Sequence, residues 1–192
     1  VNLLGEHTDY SEGLVLPTAI PQQTWVSIRQ IPSQRSRLYS ANLNAESEML
    51  PGVAPEAQFA RYVYGCLEEV RARWGELPGL EIHVESDVPI GVGLSSSAAL
   101  EVATLRALRA LLSLDMDDIE IAQLGQRAEV RHAGVHCGIL DQMACSLLTP
   151  GQMLYLDTRS LERFLLPLPE GAELLIADSG IARALAGSKY NE

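Results

Sequence analysis

Val88-Pro89-Ile90-Gly91-Val92-Gly93-Leu94-Ser95-Ser96-Ser97-Ala98-Ala99-Leu100 runs from the end of an alternating apolar segment into two glycines, three consecutive serines and an apolar helical stretch. Glycines let a backbone approach a ligand closely. A helix N-terminus presents N–H groups without intrahelical partners and a positive partial charge. Serine hydroxyls add donors for phosphate and oxygen ligands for a hard cation. No Gly-Lys-Ser/Thr follows the glycines, so the stretch is not a P-loop. Nor is it a dinucleotide fingerprint, because Ser96 stands where a third glycine belongs. A glycine turn before a serine-capped helix, with Ser95 as the N-cap, is the plain structural alternative. Three successive serines exceed what one cap requires.

Outward from this point, apolar periodicity predicts strands and helices in mixed order. Residues 1–4 read as a short strand followed by a polar loop, and apolar character returns over 14–20. Residues 24–29 alternate as a strand, 32–37 form a turn and 38–43 a further strand, while 46–55 read as irregular. A helix is predicted over 57–74 and a strand over 80–85, with Leu80, Ile82 and Val84 inward. Helices follow over 95–112, 117–133 and 141–148, the first of them apolar on most faces and therefore buried. Strands are predicted over 153–156, 163–166 and 173–178. Strict βα alternation is lacking, so the fold class is α+β.

The chain has 192 residues, 47% of them hydrophobic and 20% charged. That suits one domain, or one and part of a second. The formal net charge is −11 and Lys189 is the sole lysine. Nucleic acid is excluded as a partner, because phosphate neutralisation needs clustered Lys and Arg. A phosphate site can draw its positive potential from peptide dipoles rather than lysines. Cys66, Cys137 and Cys145 are sparse and odd in number, which fits reduced thiols in a cytoplasmic protein. No apolar run reaches ~18 residues, so no membrane span is expected. The chain opens at Val1 in an apolar run and stops at Glu192 after a polar turn, and reads as the N-terminal part of a longer protein.

Two further clusters carry chemistry. In Asn2-Leu3-Leu4-Gly5-Glu6-His7-Thr8-Asp9-Tyr10, Glu6, His7 and Asp9 concentrate charge and hydrogen-bonding capacity, as a sugar's vicinal hydroxyls require. A solvated loop at a strand end is the alternative. In the segment from Ala128-Glu129 to His132-Ala133-Gly134-Val135-His136-Cys137-Gly138-Ile139-Leu140-Asp141-Gln142, Glu129 is placed to reach a cation bound to phosphate. Gly138 permits a tight turn that aims Asp141 into a cleft, where an aspartate can act as general base toward a hydroxyl. An N-cap role for Asp141 is the alternative. His132 and His136 have i, i+4 spacing, but Gly134 breaks the helix and no third ligand is evident, so a metal site there is disfavoured.

Together these motifs resemble the galactokinases of the GHMP kinase superfamily. The residues from Asn2 to Tyr10 are similar to the galactokinase signature, and those from Gly91 to Ala99 to the superfamily's nucleotide motif. Cys137-Gly138-Ile139-Leu140-Asp141-Gln142 is similar to the galactokinase catalytic segment, and Ala186-Gly187-Ser188-Lys189-Tyr190-Asn191 to a further segment near the sugar. The resemblance spans the chain.

It implies a GHMP kinase N-terminal domain over 1–170, of a type shared with a ribosomal protein, and the start of a C-terminal domain over 171–192. It implies galactose and ATP as substrates and Mg²⁺ as cofactor. Glu6, His7, Asp9, Gly138 and Tyr190 would contact galactose. Gly91, Gly93, Ser95, Ser96 and Ser97 would cradle phosphates, Phe59 would lie near the adenine, and Ser97 and Glu129 would hold Mg²⁺. Asp141 would face the anomeric hydroxyl, either drawing its proton or orienting it beside an arginine that immediately precedes the Val1 position in the family. The family's glycine-rich third motif is not in this chain. Kinases of N-acetylgalactosamine, galacturonate or arabinose remain alternatives. So does a non-catalytic sugar- and ATP-binding regulator, although such relatives are disrupted in the serine motif.

Overall fold

The structure, a computed structural model, describes residues 1–177. Two antiparallel-rich sheets share one layer of helices. The larger sheet contains β2 (Thr24–Ile31), β3 (Ser36–Ser40), β4 (Ala45–Met49) and β5 (Gly79–Ser86) in the order β2-β5-β3-β4. β5 pairs antiparallel with β2 and parallel with β3. The smaller sheet contains β1 (Leu14–Val15), β6 (Gln152–Asp157) and β7 (Arg163–Pro167) in the order β1-β6-β7. Helices α1 (Gln58–Trp74), α2 (Ser96–Leu112), α3 (Asp118–Ala128) and α4 (Leu140–Leu147) complete the α+β architecture expected from the sequence.

Period-two patterning explains the larger sheet. Leu80, Ile82 and Val84 of β5 are buried, as the alternation predicts, and Leu38 of β3 joins them. Against this face pack Val63, Leu67 and Val70 of α1, Val102, Leu105 and Leu108 of α2, and Ile121 and Leu124 of α3. A second core lies under the smaller sheet, where Val15, Leu154 and Leu156 meet Ile139, Leu140 and Met143. Helices α2, α3 and α4 therefore stand side by side, and their ends are where the three sequence motifs meet.

Four expectations are corrected. Residues 45–49 form β4 rather than an irregular stretch. Glu46 and Glu48 are poor strand formers, but they face outward opposite Tyr39 and Arg37, Arg35 donates to Glu48 at 3.0 Å, and Met49 is buried. Pairing with β3 outweighs propensity. Residues 1–4 make only an isolated bridge, between Asn2 and Pro17. Residues 173–177 form no strand, and Asp178 lies outside the described residues. The helix expected over 117–133 keeps its extent but changes type: α3 ends at Ala128 and continues as a π-helix over Glu129–Ala133. Gly134, at φ 74°, ends it.

Candidate functional site

The glycine–serine loop takes a shape that only its sequence permits without strain. Gly91 and Gly93 have φ of 77° and 78°, and Ser95 follows at 60°. Left-handed residues at every second position turn successive N–H groups toward a common concavity, an anion-binding arrangement. Helix α2 begins there, and its first N–H groups have no intrahelical acceptor. Ser95 occupies the N-cap position but its side chain makes no capping bond. Its hydroxyl instead donates to Asp141 Oδ1 at 2.7 Å. The simple capping alternative therefore fails, and the serine run is tied directly to the third motif.

Asp141 lies in the first turn of α4, with Ile139 in the cap position, so it is not an N-cap either. The residue remains open to solvent. Crowding by surrounding protein raises its carboxyl above the ordinary aspartate range. The Ser95 hydroxyl pulls it down, and the Asp9 and Glu6 carboxylates push it up. Access to water through the open side limits the rise.

Asp9 lies close enough to act on Asp141. Thr8 organises its loop by directing one hydroxyl to the carbonyls of Gly5 (2.7 Å) and Leu14 (3.0 Å), and Asp9 opens a short 3₁₀ turn. The Asp9 side chain lies against Gly138 so closely that a Cβ there would overlap its carboxylate. Backbone N–H groups, including that of Leu140, donate to it and lower its pKa, although enclosure outweighs them and leaves it raised. Glu6 and His7 lie exposed at the rim, with Glu6 Oε1 3.8 Å from His7 Nε2 and His7 Nδ1 2.7 Å from the Tyr10 hydroxyl. Tyr190 lies outside the described residues.

On the other side of the serine run, the Ser97 hydroxyl lies near the Glu129 carboxylate and favours its ionised form. Glu129 is buried, and burial raises its pKa against the donors Ser97, Cys137 and Gln142. Beyond the loop a cavity of about 290 Å³ opens, lined by Phe59, Tyr62, Asn42, Gly91, Ser96 and Ser97 among others. The structure thus gathers Asp9, Gly138, Asp141 and Ser95 at one end, Ser97 and Glu129 in the middle, and Phe59 at the far end. His132 is not part of this group: it packs edge-on against Tyr64 and lies 3.7 Å from Glu69.

Comparison with known proteins follows this geometry. Residues 61–148 match the GHMP kinases N terminal domain. Residues 1–30 match the galactokinase galactose-binding signature.

The chain carries a GHMP kinase N-terminal domain.

The galactokinase of Thermosipho africanus is 38% identical over 192 residues, covering 100% of this chain and 54% of the relative. That of Chloroflexus aggregans is 38% identical, covering 100% of this chain and 50% of the relative. The chain thus spans about half the length of the curated relatives it matches. The crystal structure of Lactococcus lactis galactokinase complexed with galactose superposes with a TM-score of 0.81 at 32% identity, over 88% of this chain and 45% of that one. Methanococcus jannaschii mevalonate kinase shares the fold, with a TM-score of 0.69 at 21% identity over 85% of this chain and 52% of that one.

Two residues beside the candidate site were given no role in the sequence reading. Glu101 of α2 and Gln142 of α4 are completely buried beside Glu129. A charged residue at an inward-facing helical position was the available signal: Glu101 shares its face with Ala98, Val102, Leu105 and Leu108. Among the described residues no helix is long and apolar enough to cross a membrane.

Proposed function

We propose that the protein acts as a galactokinase, transferring the γ-phosphate of ATP to the anomeric hydroxyl of galactose to give galactose 1-phosphate. The observation that carries this reading is the Ser95–Asp141 bond. It sets a candidate base and a phosphate cradle at one point, with the Asp9–Gly138 contact of the sugar-facing cluster beside them.

Galactose would lie against Glu6, His7, Asp9 and Gly138, with Tyr190 contributing from outside the described residues. The adenine would enter the cavity next to Phe59, and the phosphates would meet the N–H groups and hydroxyls from Gly91 to Ser97. The resulting positive potential comes from peptide dipoles, which suits a chain of net charge −11. Asp141 accepts the proton of the anomeric hydroxyl as the sugar oxygen bonds to the γ-phosphorus. The bond from that phosphorus to the β-phosphate bridging oxygen breaks, and ADP leaves. The family carries an arginine immediately before the Val1 position, where it would stand beside the developing charge.

Ser97 and Glu129 fit a hard divalent cation. They are a hydroxyl and a carboxylate close together beside the phosphate cradle, and Mg²⁺ ordinarily takes one or two carboxylates plus substrate phosphates. Among the described residues no cluster of three acidic, His or Cys side chains is arranged as a metal cage, and such a site does not need one. When bound, Mg²⁺ offsets the negative charge of the phosphates during transfer.

ADP release measured over galactose, N-acetylgalactosamine, galacturonate and arabinose in the full-length protein tests the reading. The highest kcat/KM is expected for galactose. Another sugar in first place would reassign the substrate, and ADP from none of them would refute a kinase.

Two smaller predictions arise from the same geometry. Phe59→Ala removes the aromatic wall of the base cavity. Base–aromatic stacking is worth ~1–3 kcal/mol, so KM for ATP should rise about tenfold while KM for galactose stays in place. Equal changes in both would move Phe59 out of the nucleotide site. The second concerns pH. Asp141 must be ionised to accept a proton, so activity falls as pH drops through its pKa. Ser95 stabilises the ionised form. Ser95→Ala should therefore move the acidic limb of the kcat/KM profile to higher pH. An unmoved limb would show that Asp141 does not govern it.

A further inference from the structure

A completely buried polar cluster lies next to the site. Gln142, next in sequence to Asp141, directs its amide nitrogen at two carboxylates: Glu129 Oε2 at 2.7 Å and Glu101 Oε2 at 3.0 Å. One residue comes from α2, one from the start of the π-helix and one from α4. Glu101 is one helical turn beyond Ser97 on the same helix, so it supports the network from beneath the serine run. The space is tight: a Cβ on Gly125 would come within 3.2 Å of Gln142 Cγ and 3.4 Å of Glu101 Cβ. The second oxygen of Glu101 and the carbonyl oxygen of Gln142 have no partner. A buried acid half unsatisfied in this way costs stability. Hydrophobic packing would fill the same space more favourably.

We propose that Glu101 is a positioning residue: through Gln142 it fixes the rotamer of Glu129 and so holds that carboxylate at the cation and phosphate end of the site. Both N–H groups of Gln142 are then committed, one to each acid, and the amide cannot rotate without losing one of them. The π-helical turn, which widens the backbone at Glu129, is the kind of local distortion found where a side chain must be re-aimed. Without Glu101 the amide loses one anchor and Glu129 can swing away from Ser97. The inference rests on the reading of Ser97 and Glu129 as the cation-holding pair.

The test is binding rather than turnover. Affinity for ATP in the presence of Mn²⁺, followed by water-proton relaxation enhancement, is compared with affinity for ATP in EDTA. Their ratio measures what the cation adds. Glu101→Leu should lower this gain by ~10-fold or more, the usual effect of removing an outer-shell partner of a metal ligand, while metal-free ATP affinity holds. Glu101→Gln keeps an acceptor for Gln142 and should keep the gain. Should Glu101→Leu fail to fold, Gln142→Met, which removes the two donors at similar volume, is expected to lose the gain instead. Glu129→Ala separates the two levels of the argument. If that variant keeps the full gain, the cation-site reading itself fails. If it loses the gain while the soluble Glu101→Leu or Gln142→Met protein retains it, the positioning role is overturned. A loss in Glu101→Gln as large as in Glu101→Leu would overturn it too.

Discussion

Asp141→Ala is expected to lower kcat of the full-length protein by at least ~100-fold, the range typical of a positioned general base, with a much smaller change in either KM. The argument is geometric first. Asp141 stands where the serine loop and the Asp9–Gly138 contact meet, and its Oδ1 already accepts a hydrogen bond from Ser95. Electrostatics agree: crowding and the neighbouring carboxylates lift its proton affinity, and a stronger base suits a sugar hydroxyl. Asp141→Asn distinguishes two roles. The amide can orient a hydroxyl but cannot take its proton, so both variants should lose activity alike. Substantial turnover in Asp141→Asn would assign orientation alone to this residue, and a near-parent rate in Asp141→Ala would remove it from the mechanism.

Gly138→Ala should produce the second large effect, on the sugar rather than on the nucleotide. The new Cβ would overlap the Asp9 carboxylate and lie 2.8 Å from Asp9 Cβ, so a swing of the carboxylate alone cannot relieve it. Either the 3₁₀ turn at Asp9 or the entry to α4 has to move. Overpacking of this kind costs ~1–3 kcal/mol, and movement at Asp9 would take a carboxylate away from the proposed sugar site. KM for galactose is expected to rise about tenfold or more, with a lower melting temperature and little change in KM for ATP. An unchanged KM for galactose would separate the Asp9–Gly138 contact from sugar binding.

Much of this was legible in the sequence, because its signals are local. The alternation of Leu80, Ile82 and Val84 follows from strand geometry, and the glycine–serine loop follows from the left-handed backbone that Gly91 and Gly93 permit. What the sequence hid is what tertiary structure decides. β4 exists because β3 pairs with it, against the preference of two glutamates. The π-helix at Glu129 has the composition of ordinary helix and differs only in hydrogen-bond register. Ser95 reads as a cap from its position, yet its hydroxyl crosses to Asp141, 46 residues away in sequence. Glu101 reads as the one acid on a largely apolar helix, and only the fold brings Gln142 and Glu129 to it.

The most direct test is the identity of the product. Full-length protein is incubated with ATP, Mg²⁺ and galactose, and the phosphosugar is examined by two-dimensional phosphorus–proton correlation. The proposed galactokinase function predicts a phosphorus coupled to the anomeric proton of galactose. Coupling to the C6 protons, or an unmodified sugar after ATP has been offered in excess, would contradict it.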